Sequence, residues 1–283
     1  MHALHRGFLT ALFLMSIAST AGAEVALFSA PKNYLLALGD SLTFGFQWTR
    51  FLANPDPSNF TTGFVDNFAR RLTATGPGSG TTVVNYGCPG ETTGSFLSGP
   101  CAYHLAGYPL HNNFAGSQID AAEAFLATHP GQVGPILVSL GANDALAVVD
   151  RCGLDHECIG ALIPEIVAAI VANYSETLGR LRAAAPNAEI IVLELYNPLA
   201  VIDPTSNALA AVINQAIEAV ATANRARVAN PFFAFDLTGP QPQTLCALTL
   251  FCTALSDVHP SDQGYQVISD LVWAASGHGR FEP

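Results

Sequence analysis

Short apolar runs alternate along the chain with longer segments in which apolar residues recur every three or four positions. The runs Tyr34–Leu38, Thr82–Tyr86, Ile136–Leu140 and Ile190–Leu195, with a weaker one at Arg227–Ala229, have the length of strands. Between them, Gly63–Ala74, Ser117–Thr128, Ile163–Ala184, Ser206–Asn224 and Asp262–Ala275 have a helical period. The fourth is clearest, with Leu209, Val212, Ile213, Ala216, Ile217 and Val220 at i, i+3, i+4, i+7, i+8 and i+11. The strand runs are apolar at every position instead of every second one, as parallel strands covered by helices on both faces require. Strands and helices taking turns in this way predict a three-layer α/β/α sandwich.

No internal repeat, charge run or low-complexity linker divides the chain. Two irregular stretches, Phe96–Ala115 and Phe232–Ser256, are rich in Gly, Pro and aromatic residues and carry cysteines. Loops of that length in a compact domain are usually functional or specially stapled, and here they fall beside the strand ends where α/β proteins bind ligands. Their aromatic residues, among them Phe96, Tyr103, Tyr108, Phe114, Phe233 and Phe235, either line a pocket or form a satellite core beneath the loops.

The first 23 residues have a short basic start at His5 and Arg6, an apolar stretch from Phe8 to Ala18, and small residues Ala21-Gly22-Ala23 before Glu24. This is the pattern of a secretory signal peptide cut near Ala23, leaving residues 24–283 as one domain of an extracellular or periplasmic protein. The apolar part is shorter than the roughly 20 residues a membrane span needs, and no later stretch is expected to cross a bilayer. Half of the chain is hydrophobic and only 12% is charged, which provides a large core and argues against disorder. Removal of the leader takes Arg6 with it and leaves 10 basic against 22 acidic residues, a formal charge near −12. With no basic cluster to offset it, such a surface repels nucleic acid phosphate and disfavours anionic substrates.

The six cysteines all follow the leader, as expected of disulfides in an exported protein. The simplest pairing is sequence-local: Cys88–Cys101, Cys152–Cys158 and Cys246–Cys252. No Cys-x-x-Cys or Cys/His cluster has metal-ligand spacing, so neither a metal nor another cofactor is expected.

Candidate chemistry lies at the ends of the apolar runs. Ser41 follows the first run in LLALGDSLTFGF, where the carboxyl edge of a parallel sheet opens to solvent. A serine hydroxyl becomes a useful nucleophile only when a base takes its proton. Of the six histidines after the leader, His259 stands in SDVHPSDQGY, with Asp257 two residues before it and Pro260 behind it. A carboxylate there can fix the tautomer of the ring and stabilise the imidazolium. An oxyanion formed on an acyl carbon also needs aligned donors. Gly90 in NYGCPGETT can expose its backbone N–H, and Asn143 in SLGAND can present its side-chain amide. Each motif alone is ordinary turn chemistry, and their order along an α/β chain is what makes them informative.

The four stretches together resemble the GDSL or SGNH hydrolases, named for Ser, Gly, Asn and His in four sequence blocks. LGDSLTFG, NYGCPGETT, GAND and the His259-Pro260 pair match these blocks in order and across nearly the whole chain after the leader. The resemblance implies a central, mostly parallel, flavodoxin-like five-stranded sheet and a cofactor-free serine ester hydrolase. It makes Ser41 the nucleophile and His259 the base, with Ser41 N–H, Gly90 N–H and the Asn143 side chain holding the oxyanion. One departure stands out: the family spaces its last block as Asp-x-x-His, whereas Asp257 and His259 are two apart and Ser256 holds the usual aspartate position. Asp257 is expected to orient His259; the rival is a backbone carbonyl near Ser256, which would leave a Ser–His dyad. The implied substrate is a small-molecule, lipid or polysaccharide ester; a monomer is expected, though nothing in the sequence fixes the oligomeric state. The same machinery would serve an O-acetylesterase or an acyltransferase, and a non-catalytic carbohydrate- or lipid-binding module is the reading outside enzymes.

Overall fold

The computed structural model describes residues 26–282, so the proposed leader and its cleavage site lie outside the described residues. In chain order the elements are β1 (Tyr34–Gly39), α1 (Ser41–Phe44), α2 (Trp48–Ala53), α3 (Phe64–Ala74), β2 (Thr82–Asn85), α4 (Thr93–Ser98), α5 (Ala102–Leu105) and α6 (Gln118–Thr128). There follow β3 (Val133–Ser139), α7 (Ala142–Cys152), α8 (His156–Ala184), β4 (Ile190–Leu193), α9 (Asn207–Ala223), β5 (Arg227–Ala229), α10 (Gln243–Leu248) and α11 (Asp262–Ser276).

The five strands form one parallel sheet in the order β2-β1-β3-β4-β5, the flavodoxin-like arrangement. Alternate residues of each strand point to opposite faces, and both faces are covered. Leu36, Leu38, Ile136, Val138, Ile190 and Val192 pack with residues of α4, α6, α8 and α9. Leu35, Ala37, Leu137, Ile191 and Leu193 pack on the other side with residues of α3, α10 and α11. A third, smaller cluster joins Phe44, Phe46 and Phe60 to Leu110 and the Cys88–Cys101 bridge, with Phe51, Tyr103 and Phe114 against it. The sequence-local cysteine pairs are the disulfides of the structure: Cys88–Cys101, Cys152–Cys158 and Cys246–Cys252.

Strands β3 and β4 end earlier than their apolar runs because side chains take over the ladder. Beyond β4, Leu195 donates its N–H to Asn214 Oδ1 at 2.8 Å and accepts from Asn214 Nδ2 at 2.8 Å. Beyond β3, the Tyr174 hydroxyl does the same for Leu140. These caps satisfy strand-end backbone groups while letting the chain splay into loops. The two irregular stretches are less irregular than their composition suggests: α5 lies in the first and α10 in the second.

The largest departure from the sequence pattern is around residues 142–162. The GAND segment starts helix α7, with Gly141 at φ +103° leading into it. Within the loop that the Cys152–Cys158 bridge closes, α8 begins at His156, seven residues before the expected start. Asp155 caps it, accepting from Glu157 N and Cys158 N, and Pro164 falls inside. Its apolar period is weak in this first part because that part is not packed in the core. Among the described residues α8 is also long and apolar enough, by length and composition, to cross a membrane, which was not expected of any stretch after the leader. Its second half is built into the domain, with Ile170, Tyr174, Leu178 and Leu181 buried against the sheet.

Candidate active site

The candidate residues meet at the carboxyl edge of the sheet. Gly39 closes β1 at φ +137°, and a Cβ on it would lie 2.0 Å from the Ser139 carbonyl oxygen of β3. Only glycine lets the two strands approach so closely there. Gln118 grips the same residue from α6, accepting from Gly39 N at 2.6 Å and donating to Gly39 O at 3.0 Å. Asp40 follows as N-cap, its Oδ1 accepting from Leu42 N at 2.9 Å, and the chain turns so that Ser41 faces outward.

Ser41 Oγ and His259 Nε2 are 2.9 Å apart, and His259 Nδ1 and Asp257 Oδ1 are 2.5 Å apart. The two-residue spacing works because the backbone is irregular. Ser256 sits in the left-handed region at φ +46°, and Asp257 folds back to accept from the His259 N–H at 3.1 Å as well as from the ring. The other carboxylate oxygen accepts from Trp48 N at 2.8 Å. Burial by itself would raise the Asp257 carboxyl; the bond and charge of His259, together with the two backbone N–H groups, outweigh it and hold the group below the usual carboxylate range. A carboxylate stands behind the imidazole, and no backbone carbonyl is needed for that role.

The loop that carries His259 is stitched to the segment after Ser41. Gln47 donates to Pro260 O at 2.9 Å, and Arg50 pairs with Asp262 at 3.0 Å. Phe46 packs on the imidazole at a centroid distance of 5.0 Å. On the other flank, Asp144 accepts from Thr93 N at 2.9 Å and from the Thr93 hydroxyl at 2.6 Å, tying the start of α7 to the start of α4. Asn143 donates to the Glu91 carbonyl at 2.8 Å, which orients the amide and leaves its second hydrogen for another acceptor. Gly90 adopts φ +86° with open space where a side chain would be. Ser41, Gly90, Asn143 and His259 all line one cavity.

Asp40, Gln118, Glu91 and Trp48 carry this geometry without having been singled out in the sequence. Asp40 and Glu91 are buried; burial pushes the Asp40 carboxyl up to about 7, helped by Asp144 and Glu91 and opposed by the Leu42 N–H. Burial likewise raises Glu91, opposed by its bonds to Ser95 and Gln118. Only the GDSL and GET stretches hinted at Asp40 and Glu91. Gln118 and Trp48 had no sequence signal, because they act through backbone hydrogen bonds across a long separation.

The cavity holds about 700 Å³ and is mainly apolar. Leu146 and Val149 of α7, Ile159 and Ile163 of α8, and Leu209 and Ile213 of α9 form its far wall. Tyr103 and Tyr108 of the first irregular stretch line it too, whereas Phe96 belongs to the main core and Phe114 to the satellite cluster. The second stretch contributes none of its aromatic residues: Phe235 is buried in the core and Phe233 is exposed. No group of three or more His, Cys, Asp or Glu able to hold a metal occurs among the described residues.

A hydroxyl on an imidazole, an imidazole on a carboxylate and a neighbouring set of N–H donors is the arrangement of a serine hydrolase. The sequence model of the GDSL-like lipase/acylhydrolase family matches residues 37–267, and the chain belongs to that family. No functionally curated protein matches it. Its fold is shared with a lipase from a goat rumen metagenome, 20% identical, with a TM-score of 0.58 over 88% of this chain and 99% of that one. An acetylxylan esterase of Geobacillus stearothermophilus is 19% identical with a TM-score of 0.56, over 88% and 95% of the two chains. A hydrolase from the metagenome of Lake Arreo, Spain, is 20% identical with a TM-score of 0.54, over 89% and 98%. The family and these neighbours establish a GDSL-type hydrolase with the three-layer α/β/α fold.

Proposed function

We propose that this protein is a secreted carboxylic ester hydrolase that works through an acyl-enzyme on Ser41 and binds an acyl chain well beyond acetyl. The carrying observation is that the Ser41–His259–Asp257 line opens into the apolar cavity between α7, α8 and α9. In this reading His259 Nε2 takes the Ser41 proton as Oγ attacks the ester carbonyl. Ser41 N–H, Gly90 N–H and Asn143 Nδ2 hold the oxyanion. The imidazolium, steadied by Asp257, protonates the departing alkoxide, and a water activated by the same imidazole releases the acid. The disulfides accord with the extracellular or periplasmic location that the leader suggests, and every step is open to a monomer without a metal or cofactor.

The cavity favours this over an acetyl-only esterase. Its volume lies within the roughly 300–1,000 Å³ of pockets that enclose whole small molecules, and an acetyl methyl would leave most of its apolar wall without contact. Each methylene that enters contributes about 0.8 kcal/mol, close to fourfold in kcat/KM. A series of p-nitrophenyl esters from acetate to palmitate, run beside acetylated xylan, tests the reading. The expected result is kcat/KM rising over several carbons beyond acetate. A maximum at acetate, or turnover of acetylated xylan alone, would refute the acyl-chain assignment.

A further inference from the structure

The mouth of this cavity has an apolar border that the fold does not cover. Trp48 and Leu52 are four residues apart on α2, hence on one helix face, and are 44% and 67% exposed. Leu105 is 71% exposed between the cavity-lining Tyr103 and Tyr108, and Ile202 is 58% exposed between Leu199 and Asp203, which line it too. Leu154, itself a lining residue in the turn that the Cys152–Cys158 bridge closes, is 44% exposed. Behind that turn runs α8, of whose most apolar 18-residue stretch only 17% is buried. Exposed apolar residues are ordinary when scattered; these five adjoin or line the cavity.

We infer that this rim seats the protein on the surface of a zwitterionic phospholipid bilayer, with the cavity mouth facing the lipid. The inference rests on the ester-hydrolase reading of the cavity. Three observations select that occupant. The border is continuous with a cavity that suits an acyl chain, so the same surface would present the substrate. Trp48 and Tyr108 are amphipathic rings of the kind favoured at the headgroup level. The charges nearby are mostly acidic: Asp150, Asp155, Glu157 and Asp203 against Arg151 and His156, on a chain with a formal charge of −11. The one cation on α2, Arg50, is engaged with Asp262. Such a surface is repelled by anionic lipid and has no cationic patch to hold it there. Because the second half of α8 is packed in the core, the contact is one of lying on the bilayer, not of spanning it.

The test is flotation of the Ser41→Ala protein with phosphatidylcholine vesicles, which separates binding from turnover, beside vesicles containing phosphatidylglycerol. The expected result is co-flotation with the first and weaker binding to the second. A triple variant, Leu52→Ser, Leu105→Ser and Ile202→Ser, should lower the partition coefficient by roughly tenfold or more, since three side chains lose their transfer into the interface. In a Ser41 background the same triple variant should leave turnover of a water-soluble butyrate ester unchanged, which also reports that it folds. No flotation, flotation unaffected by the triple variant, or a preference for anionic vesicles would overturn the inference. So would a dimer, seen by sedimentation, that the triple variant dissociates while vesicles bind nothing. Absence of flotation by the Ser41→Ala protein, with butyrate turnover intact in the wild type, condemns the docking surface alone; butyrate turnover that survives Ser41→Ala condemns the hydrolase reading.

Discussion

Asp257 gathers three N–H donors: the imidazole Nδ1, its own loop through His259 N, and the segment after the nucleophile through Trp48 N. Replacing it by asparagine keeps an acceptor but removes the charge. In the transition state the imidazolium and carboxylate charges, roughly 4 Å apart in a partly buried site, attract by about 4 kcal/mol, or close to a thousandfold in rate. Asp257→Asn should therefore lower kcat by about 10² to 10⁴, with KM little changed, because the interaction grows only as the imidazolium forms. Asp257→Ala should add a folding cost of about 2–5 kcal/mol, because two backbone N–H groups lose their acceptor. Initial rates on p-nitrophenyl butyrate and urea midpoints measure the two effects separately. Since Asp257 titrates below the ordinary carboxylate range, it stays ionised through neutral pH. An Asp257→Asn enzyme within tenfold of wild type would refute the reasoning and leave a Ser–His dyad.

Other outcomes follow from the same geometry. Gly39→Ala sets a Cβ 2.0 Å from the Ser139 carbonyl, so a loss beyond about 3 kcal/mol is expected in the urea midpoint, with β1 and Ser41 displaced together. Ile163→Trp should fill the far wall of the cavity and move the chain-length optimum to shorter esters, each excluded methylene costing about fourfold, while acetate turnover stays near wild type. Asp236 is buried, and burial pushes its carboxyl up to about 7 against one opposing bond from Asn197 N. Its neutral form favours the fold below the unfolded value near 4, and that contribution is lost as pH rises through 7. Asp236→Asn should therefore gain about 1–3 kcal/mol over wild type at pH 8 and little at pH 4, in urea titrations at both pH values.

The layering and the four candidate loops that the structure brings together were legible because each leaves a local mark. Continuous apolar runs signal strands covered on both faces, and Gly39-Asp40-Ser41, Gly90-Glu91-Thr92, Gly141-Ala142-Asn143 and His259-Pro260 follow such runs or precede the last helix. What stayed illegible depends on long-range contacts. Gln118 grips Gly39 from 79 residues away and Trp48 N reaches Asp257 from 209, and neither contact has a sequence pattern. Helix α7 and the first turns of α8 were missed for another reason. Their apolar residues face a cavity instead of a packed core, so the stripe that reports a helix is blurred, and Pro164 suggests a start that Asp155 in fact makes earlier. The shortened Asp257–His259 spacing was resolved by the left-handed Ser256, a backbone state that a serine does not advertise.

The central claim is that Ser41 is the acylated nucleophile, activated by His259. Its most direct test is reaction of the protein with a p-nitrophenyl alkylphosphonate, followed by peptide mass spectrometry. The account predicts one equivalent of phosphonate on Ser41, loss of esterase activity in step with labelling, and strongly slowed labelling in His259→Ala. Labelling at any other residue, or full esterase activity in a protein labelled at Ser41, would contradict it.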